Sequence, residues 1–214
     1  MKKLGLLLIP ILAITLMLGG NAFAQNVGDN SFYFVTYYSN ANTTGAPDQT
    51  VRIINDGDLA TAYTGALFAA IYVFDDSQEM ISCCSCYITQ DGLLSESVNK
   101  ELTSNTFTGR GELTRGVIKV VSAAINDPAY LIPGPGLRAW ATHVQATTTT
   151  FPAPGPGNAV NAKEAGPWFV TETALSDSNL TELEASNLGT LCSYGLTIGS
   201  GYGACPCTLE DYDF

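Results

Sequence analysis

Apolar residues in this chain come in short runs broken by turn-forming residues, and most runs are too short for helices. Phe32–Tyr38 is aromatic and β-branched and reads as a strand. Both of its faces are apolar, with Phe32, Phe34 and Tyr38 on one and Tyr33, Val35 and Tyr37 on the other, whereas a half-exposed strand alternates. Thr50–Ile54 is a second strand, closed by the turn cluster Asn55-Asp56-Gly57-Asp58. Ala66–Phe74 is a continuous buried-strand run, ended by Asp75-Asp76-Ser77, and Glu79–Thr89 returns as its hairpin partner. Leu93–Val98, Gly116–Ala123, Leu137–Thr147 and Trp168–Ala174 complete the strands. Asn99–Thr114 and Asn126–Gly136 read as loops, and the proline-rich 147–167 stretch as a surface excursion.

One helix is expected, at about 180–194. Ser178 is placed to cap it, Leu180, Leu183, Leu188 and Leu191 recur at helical spacing, and Gly195 fits a stop. That leucine stripe needs a sheet to bury it. Gly199–Gly203 reads as a flexible link, since glycine is costly to order. Residues 204–214 form an acidic tail. Helical segments do not alternate with strands, so the pattern predicts one mainly β domain over 25–214. Its architecture is a β-sandwich of about eight strands with one C-terminal helix and a disulfide-tethered tail.

The N-terminus changes the picture of where this domain works. Met1-Lys2-Lys3 is basic, Leu4–Leu18 is apolar, and Ala22-Phe23-Ala24 fits a small-x-small cleavage site. Residues 1–24 are therefore expected to be a signal peptide, leaving a secreted or cell-surface protein. The longest later apolar run is too short to cross a bilayer. Removing Lys2 and Lys3 leaves 20 acidic residues against 7 basic ones. That balance repels nucleic acid and anionic membranes, and no nucleic-acid partner is expected.

An even cysteine count in such a compartment reads as a disulfide framework. Cys83, Cys84 and Cys86 lie mid-chain, while Cys192, Cys205 and Cys207 lie near the C-terminus. On an extended strand Cys83 and Cys84 point to opposite faces and Cys84 and Cys86 share one. The expectation is at least two bridges between the groups, clamping helix and tail onto the strand, with connectivity open. A metal site is the rival, but the spacings lack a Cys-x2–4-Cys unit on both sides, and one histidine is present. No cofactor is expected.

Other motifs are weak. His143 is the sole imidazole, and no Gly-x-Ser-x-Gly turn accompanies it. Asp56 and Asp58 are a weak Ca2+ candidate in a segment that reads first as an Asx/Gly turn. Asp75-Asp76 and Glu210, Asp211, Asp213 are acid groups of the kind used on glycosidic bonds, but turn and tail acids are ordinarily solvated. No catalytic residue is assigned.

Five stretches carry a resemblance: Ile71–Cys86, Asp91–Asn99, Gly136–His143, Leu191–Gly195 and Cys205–Asp211. Together they resemble secreted cysteine-containing proteins of acidobacteria-type bacteria. The resemblance implies a secreted, disulfide-bearing protein and brings no activity or site residues.

Two function classes follow. The first is a non-enzymatic extracellular structural protein, a filament or surface subunit. Its assembly strand, Phe32, Tyr33, Phe34, Val35, Tyr37 and Tyr38, would add to a neighbour's sheet edge, making a second copy the expected partner. The alternative is a carbohydrate-binding module or glycoside-active enzyme in which Trp140 and Trp168 stack on sugar rings.

Overall fold

The computed structural model describes residues 32–57, 65–107, 113–150 and 163–207. The expected signal peptide, Asp58, Glu210, Asp211 and Asp213 lie outside the described residues.

Eight strands form two antiparallel four-stranded sheets in a sandwich-like arrangement, with one α-helix following them. The strands are β1 (Tyr33–Ser39), β2 (Thr50–Asn55), β3 (Leu67–Asp75), β4 (Met80–Ile88), β5 (Leu93–Ser97), β6 (Arg115–Ala123), β7 (Leu137–Thr150) and β8 (Lys163–Ala174). The helix is α1 (Glu182–Ile198). Sheet A has the order β1-β6-β3-β4 and sheet B the order β5-β2-β7-β8. The mainly β architecture predicted from the run lengths is the one observed. One difference falls in the expected 99–114 loop, where Val98–Leu102 makes a single π-helical turn. Ser97 starts that turn by accepting the Lys100 N–H on its hydroxyl.

Two apolar cores explain the strand sequences. The first lies between the sheets and takes Leu67, Ile71 and Val73 of β3 with Ile53, Ile118 and Leu137. The second lies on the other face of sheet A, beneath α1, and takes Tyr72, Phe74, Val121 and Leu188. β3 is therefore buried on both faces, which is why it reads as an unbroken apolar run. The double-faced β1 has the same cause over part of its length: Phe34 and Tyr38 enter the first core and Tyr33 the second.

Three details of the helix differ from expectation. Its N-cap is Thr181, whose hydroxyl accepts the Glu184 N–H at 3.1 Å, and the Ser178 N–H donates instead to the Tyr33 carbonyl. Gly195 is inside the helix and Gly199 is the C-cap. The buried face is Leu188, Gly189, Cys192 and Gly195, while Leu183 is 72% and Leu191 46% exposed. Two glycines share this face with Leu188 and the bridged Cys192 because at those two positions the helix approaches its neighbours too closely for any side chain. A Cβ on Gly189 would come 2.6 Å from the Ala129 carbonyl oxygen, and one on Gly195 would come 2.3 Å from the Phe107 ring.

The same ring organises the segment expected to be a loose link. Phe107 packs against Gly199 and Gly203 as well, where a Cβ on Gly203 would sit 1.7 Å from it. The Gly203 N–H donates to Asn105 O at 2.9 Å, its carbonyl accepts the Cys83 N–H at 2.8 Å, and the Asn105 amide reaches Ala204 O. These glycines are ordered by close approach, with Gly201 and Gly203 at positive φ.

Candidate functional site

The cysteines pair strictly between the two groups: Cys83–Cys192, Cys84–Cys205 and Cys86–Cys207. Strand alternation decides which goes where. Cys83 faces the helix and meets Cys192, while Cys84 and Cys86 face the other way and meet the tail. Cys84, Cys86 and Cys207 sulfurs all lie within 4.8 Å of one another, but each belongs to a disulfide.

Four strands are sheet edges, and they differ in what their outward main-chain groups meet. β4 is covered along Ile81 and Cys83. The Cys83 N–H and C=O pair with Gly203 and Cys205, and the Phe107 N–H reaches the Ile81 carbonyl. β1 is closed at both ends. Asp177 Oδ1 accepts the Phe32 and Tyr33 N–H groups at 3.0 and 2.9 Å, and the Ser178 N–H bonds the Tyr33 carbonyl. At the other end the Gln49 amide pairs with both main-chain groups of Ser39. Of the expected assembly strand, Val35 and Tyr37 alone keep outward main-chain positions between those plugs. β5 is short, and its Ser97 N–H is taken by Glu101.

β8 is different. The Leu175 N–H donates to Ala139 O at 2.8 Å. In an antiparallel ladder this places the odd-numbered residues 169–173 in the bonded pairs with β7. The N–H and C=O groups of Trp168, Val170, Glu172 and Ala174 then point away from the sheet. Nothing among the described residues pairs with them. Residues 169–174 are also exposed on both faces, with Phe169 at 59% and Val170 at 48%. β7 packs against β1, and β8 lies one strand further out in sheet B, so it overhangs that contact.

His143 marks the inner margin of this overhang. Its Nε2 lies 3.0 Å from the Thr36 hydroxyl, and its ring stacks on Tyr37 at 4.2 Å. Burial lowers its pKa from the ordinary 6.5, so the imidazole is held neutral. It ties β7 to β1 across the side of the sandwich.

The acidic candidates serve local structure. Asp56 pairs with Arg138 at 2.6 Å, and the Asn55 side chain accepts the Gly57 N–H in an Asx turn. Asp75 accepts the Ser77 and Glu79 N–H groups, and Asp76 pairs with Arg115. A polar cluster that the sequence does not signal lies under α1. Glu184 accepts from Lys119 at 2.5 Å and from the Tyr33 hydroxyl at 3.0 Å, and Lys119 sits 4.8 Å from the Phe74 ring centre. Burial pushes the Glu184 carboxyl up, but the bonds from Lys119 and Tyr33 outweigh it and lower its pKa. Burial, with Glu184 beside it, raises the Tyr33 phenol. This cluster borders a groove of about 630 Å³ between α1 and sheet A. Trp140 and Trp168 pair across the β7–β8 ladder with Ala174 and Ala146. Both stand on the face of sheet B turned away from the core, about 20 Å apart along the strands.

Comparison with known proteins returns no match: no family model fits the chain, and no curated protein or solved structure is similar to it. Three disulfides suit an oxidising environment, and no helix among the described residues is long and apolar enough to cross a membrane.

Proposed function

We propose that this is a secreted, non-enzymatic structural protein that associates with copies of itself by main-chain pairing at a sheet edge. The observation that carries the reading is β8, an edge with four consecutive outward hydrogen-bonding residues and apolar side chains exposed on both faces. Long exposed edges are ordinarily blunted or covered in monomeric proteins. Here the ends of β1 and the 81–83 part of β4 are plugged, while β8 has no main-chain partner among the described residues, so β8 takes the assembly role expected of Phe32–Tyr38. The signal-like N-terminus and the three disulfides support an extracellular site of action. Light scattering of the oxidised protein over a concentration series tests it. Association that disappears in Val170→Pro, which deletes one outward N–H, is the expected result. A monomer at millimolar concentration contradicts it.

The shared outward face of Trp140 and Trp168 favours one second reading, a glycan-binding platform. Soluble-glycan binding lost in Trp168→Ala, with association unchanged, would move the function there.

A further inference from the structure

We infer that assembly through β8 closes at two copies, β8 against β8 in antiparallel register centred on Phe169, rather than running on into a filament. The inference rests on the reading of β8 as the assembly edge and adds which partner surface it meets.

A filament needs two different edges on each chain, one to give and one to receive. Among the described residues β8 has no second edge to meet. β4 is covered over Ile81 and Cys83 by Phe107 and the disulfide-held tail, which leaves only Ser85 and Tyr87 as outward positions, too few to receive β8. β1 is plugged by Asp177 and Ser178 at one end and Gln49 at the other. β5 has five residues, with its last outward N–H bonded to Glu101. The edge long enough to receive β8 is another β8, and an edge that pairs with itself is twofold by construction. Sheet B then becomes a continuous eight-stranded sheet across the dimer.

Chemistry selects the register. Outward-bonding residues must face outward-bonding residues, so within 168–174, ahead of the register shift that β8 makes on β7, even positions pair with even positions. A twofold at Glu172 sets Glu172 against itself, a like-charge pair, and one at Trp168 runs Val170 into the register shift that precedes Trp168. Twofolds at Val170 and Thr171 set Glu172 against an apolar residue, Trp168 or Val170. A twofold at Phe169 sets Trp168 against the partner's Val170 on one face and Phe169 against the partner's Phe169 on the other. Aromatic and β-branched cross-strand neighbours are the favourable pairs in sheets. Pro167 fits because, as an odd-numbered position, it points its missing N–H toward β7.

Charge-swap variants analysed by sedimentation test partner and register together. Val170→Lys alone and Trp168→Glu alone each weaken the dimer roughly tenfold or more, since each occurs twice across the twofold. The double variant sets each introduced carboxylate opposite an introduced ammonium of the other copy and restores the dimer toward the parent affinity. A double variant as weak as the singles, with melting temperature and disulfides intact, overturns the Phe169 register. Polymers larger than two in the parent protein overturn the closure while keeping β8 self-association. A strictly monomeric parent removes both. Tyr87→Lys on sheet A is the control that leaves the dimer unchanged.

Discussion

β4 and β8 are both edges of four-stranded sheets, and the chain treats them in opposite ways. Along β4 the outward groups of Ile81 and Cys83 are met by Phe107 and by 203–205, and three disulfides hold that covering in place. Along β8, Trp168, Val170, Glu172 and Ala174 meet nothing among the described residues, and Phe169 and Val170 stay exposed. One edge is covered at Ile81 and Cys83 by segments of which one is covalently held, while the other is longer and unpaired among the described residues. The contrast shows that edge protection is available to this fold and is applied selectively.

The largest expected effect comes from breaking the sealed side. The first bridge closes more than 100 residues and, in the chain-entropy picture, adds about 5 kcal/mol. With Cys83–Cys192 in place, Cys84–Cys205 closes a further loop of about 14 residues and adds about 3 kcal/mol, and Cys86–Cys207 then adds about 2 kcal/mol. Complete reduction should therefore unfold the protein under mild conditions, as seen by circular dichroism during a reductant titration. Replacing Cys86 and Cys207 together by Ala should cost less than replacing Cys83 and Cys192, as compared by urea unfolding. The opposite ranking would show that the helix is held mainly by packing.

Next in size is the glycine seat of Phe107. Ala ordinarily stabilises a helix interior by about 1 kcal/mol over Gly. Gly195→Ala should instead destabilise by about 1–3 kcal/mol, because its Cβ meets the Phe107 ring. Chemical denaturation gives the sign directly, and a stabilised variant would mean the ring moves aside freely.

Much of this was legible beforehand, and the failures have physical reasons. Strand count followed from run lengths, because most strands bury at least one face and β3 buries two, but the extent of the β7–β8 hairpin did not: the 147–167 stretch expected to be irregular is strand at 147–150 and from Lys163 on, where polar residues and Pro167 give no apolar run. The opposite facing of Cys83 and Cys84 followed from the two-residue period of a strand. The helix start at Thr181 was readable from Thr181-Glu182-Leu183-Glu184, a capping-box spacing, but Ser178 offered a similar signal earlier in the chain. The leucine stripe misled because buried faces were equated with large apolar residues. Here the buried face is Leu188 with two glycines and a cysteine, and its Gly195 end is set by a ring 88 residues away in sequence. No local signal reveals Phe107 as that ring. Nor does sequence tell that Asp177 and Gln49 plug β1 or that β8 is an edge, since strand order is a long-range property.

A smaller effect attends the His143 tie at the margin of the open side. Its folded pKa lies below the unfolded 6.5. The unfolded chain therefore takes up the proton first as pH falls. Stability is full above pH 6.5, declines below it, and levels off once pH is under the folded value. His143→Gln should flatten that slope in urea midpoints measured through this range. An unchanged slope would place its origin in carboxylates.

The smallest effect on the isolated fold belongs to the open edge itself. Phe169→Ser should change unfolding stability of the dilute protein by no more than about 0.5 kcal/mol, because this side chain is mostly solvated. A loss of several kcal/mol would mean that β8 is covered within its own chain.

Amide hydrogen exchange on the oxidised protein, dilute and concentrated, compares the two edges in one experiment. The Cys83 N–H, bonded to Gly203, should be protected at both concentrations. The N–H groups of Trp168, Val170, Glu172 and Ala174 should exchange fast when dilute and become protected on concentration. Protection at β8 already present in the dilute monomer, or concentration-dependent protection confined to Val35 and Tyr37 of β1, would contradict the account.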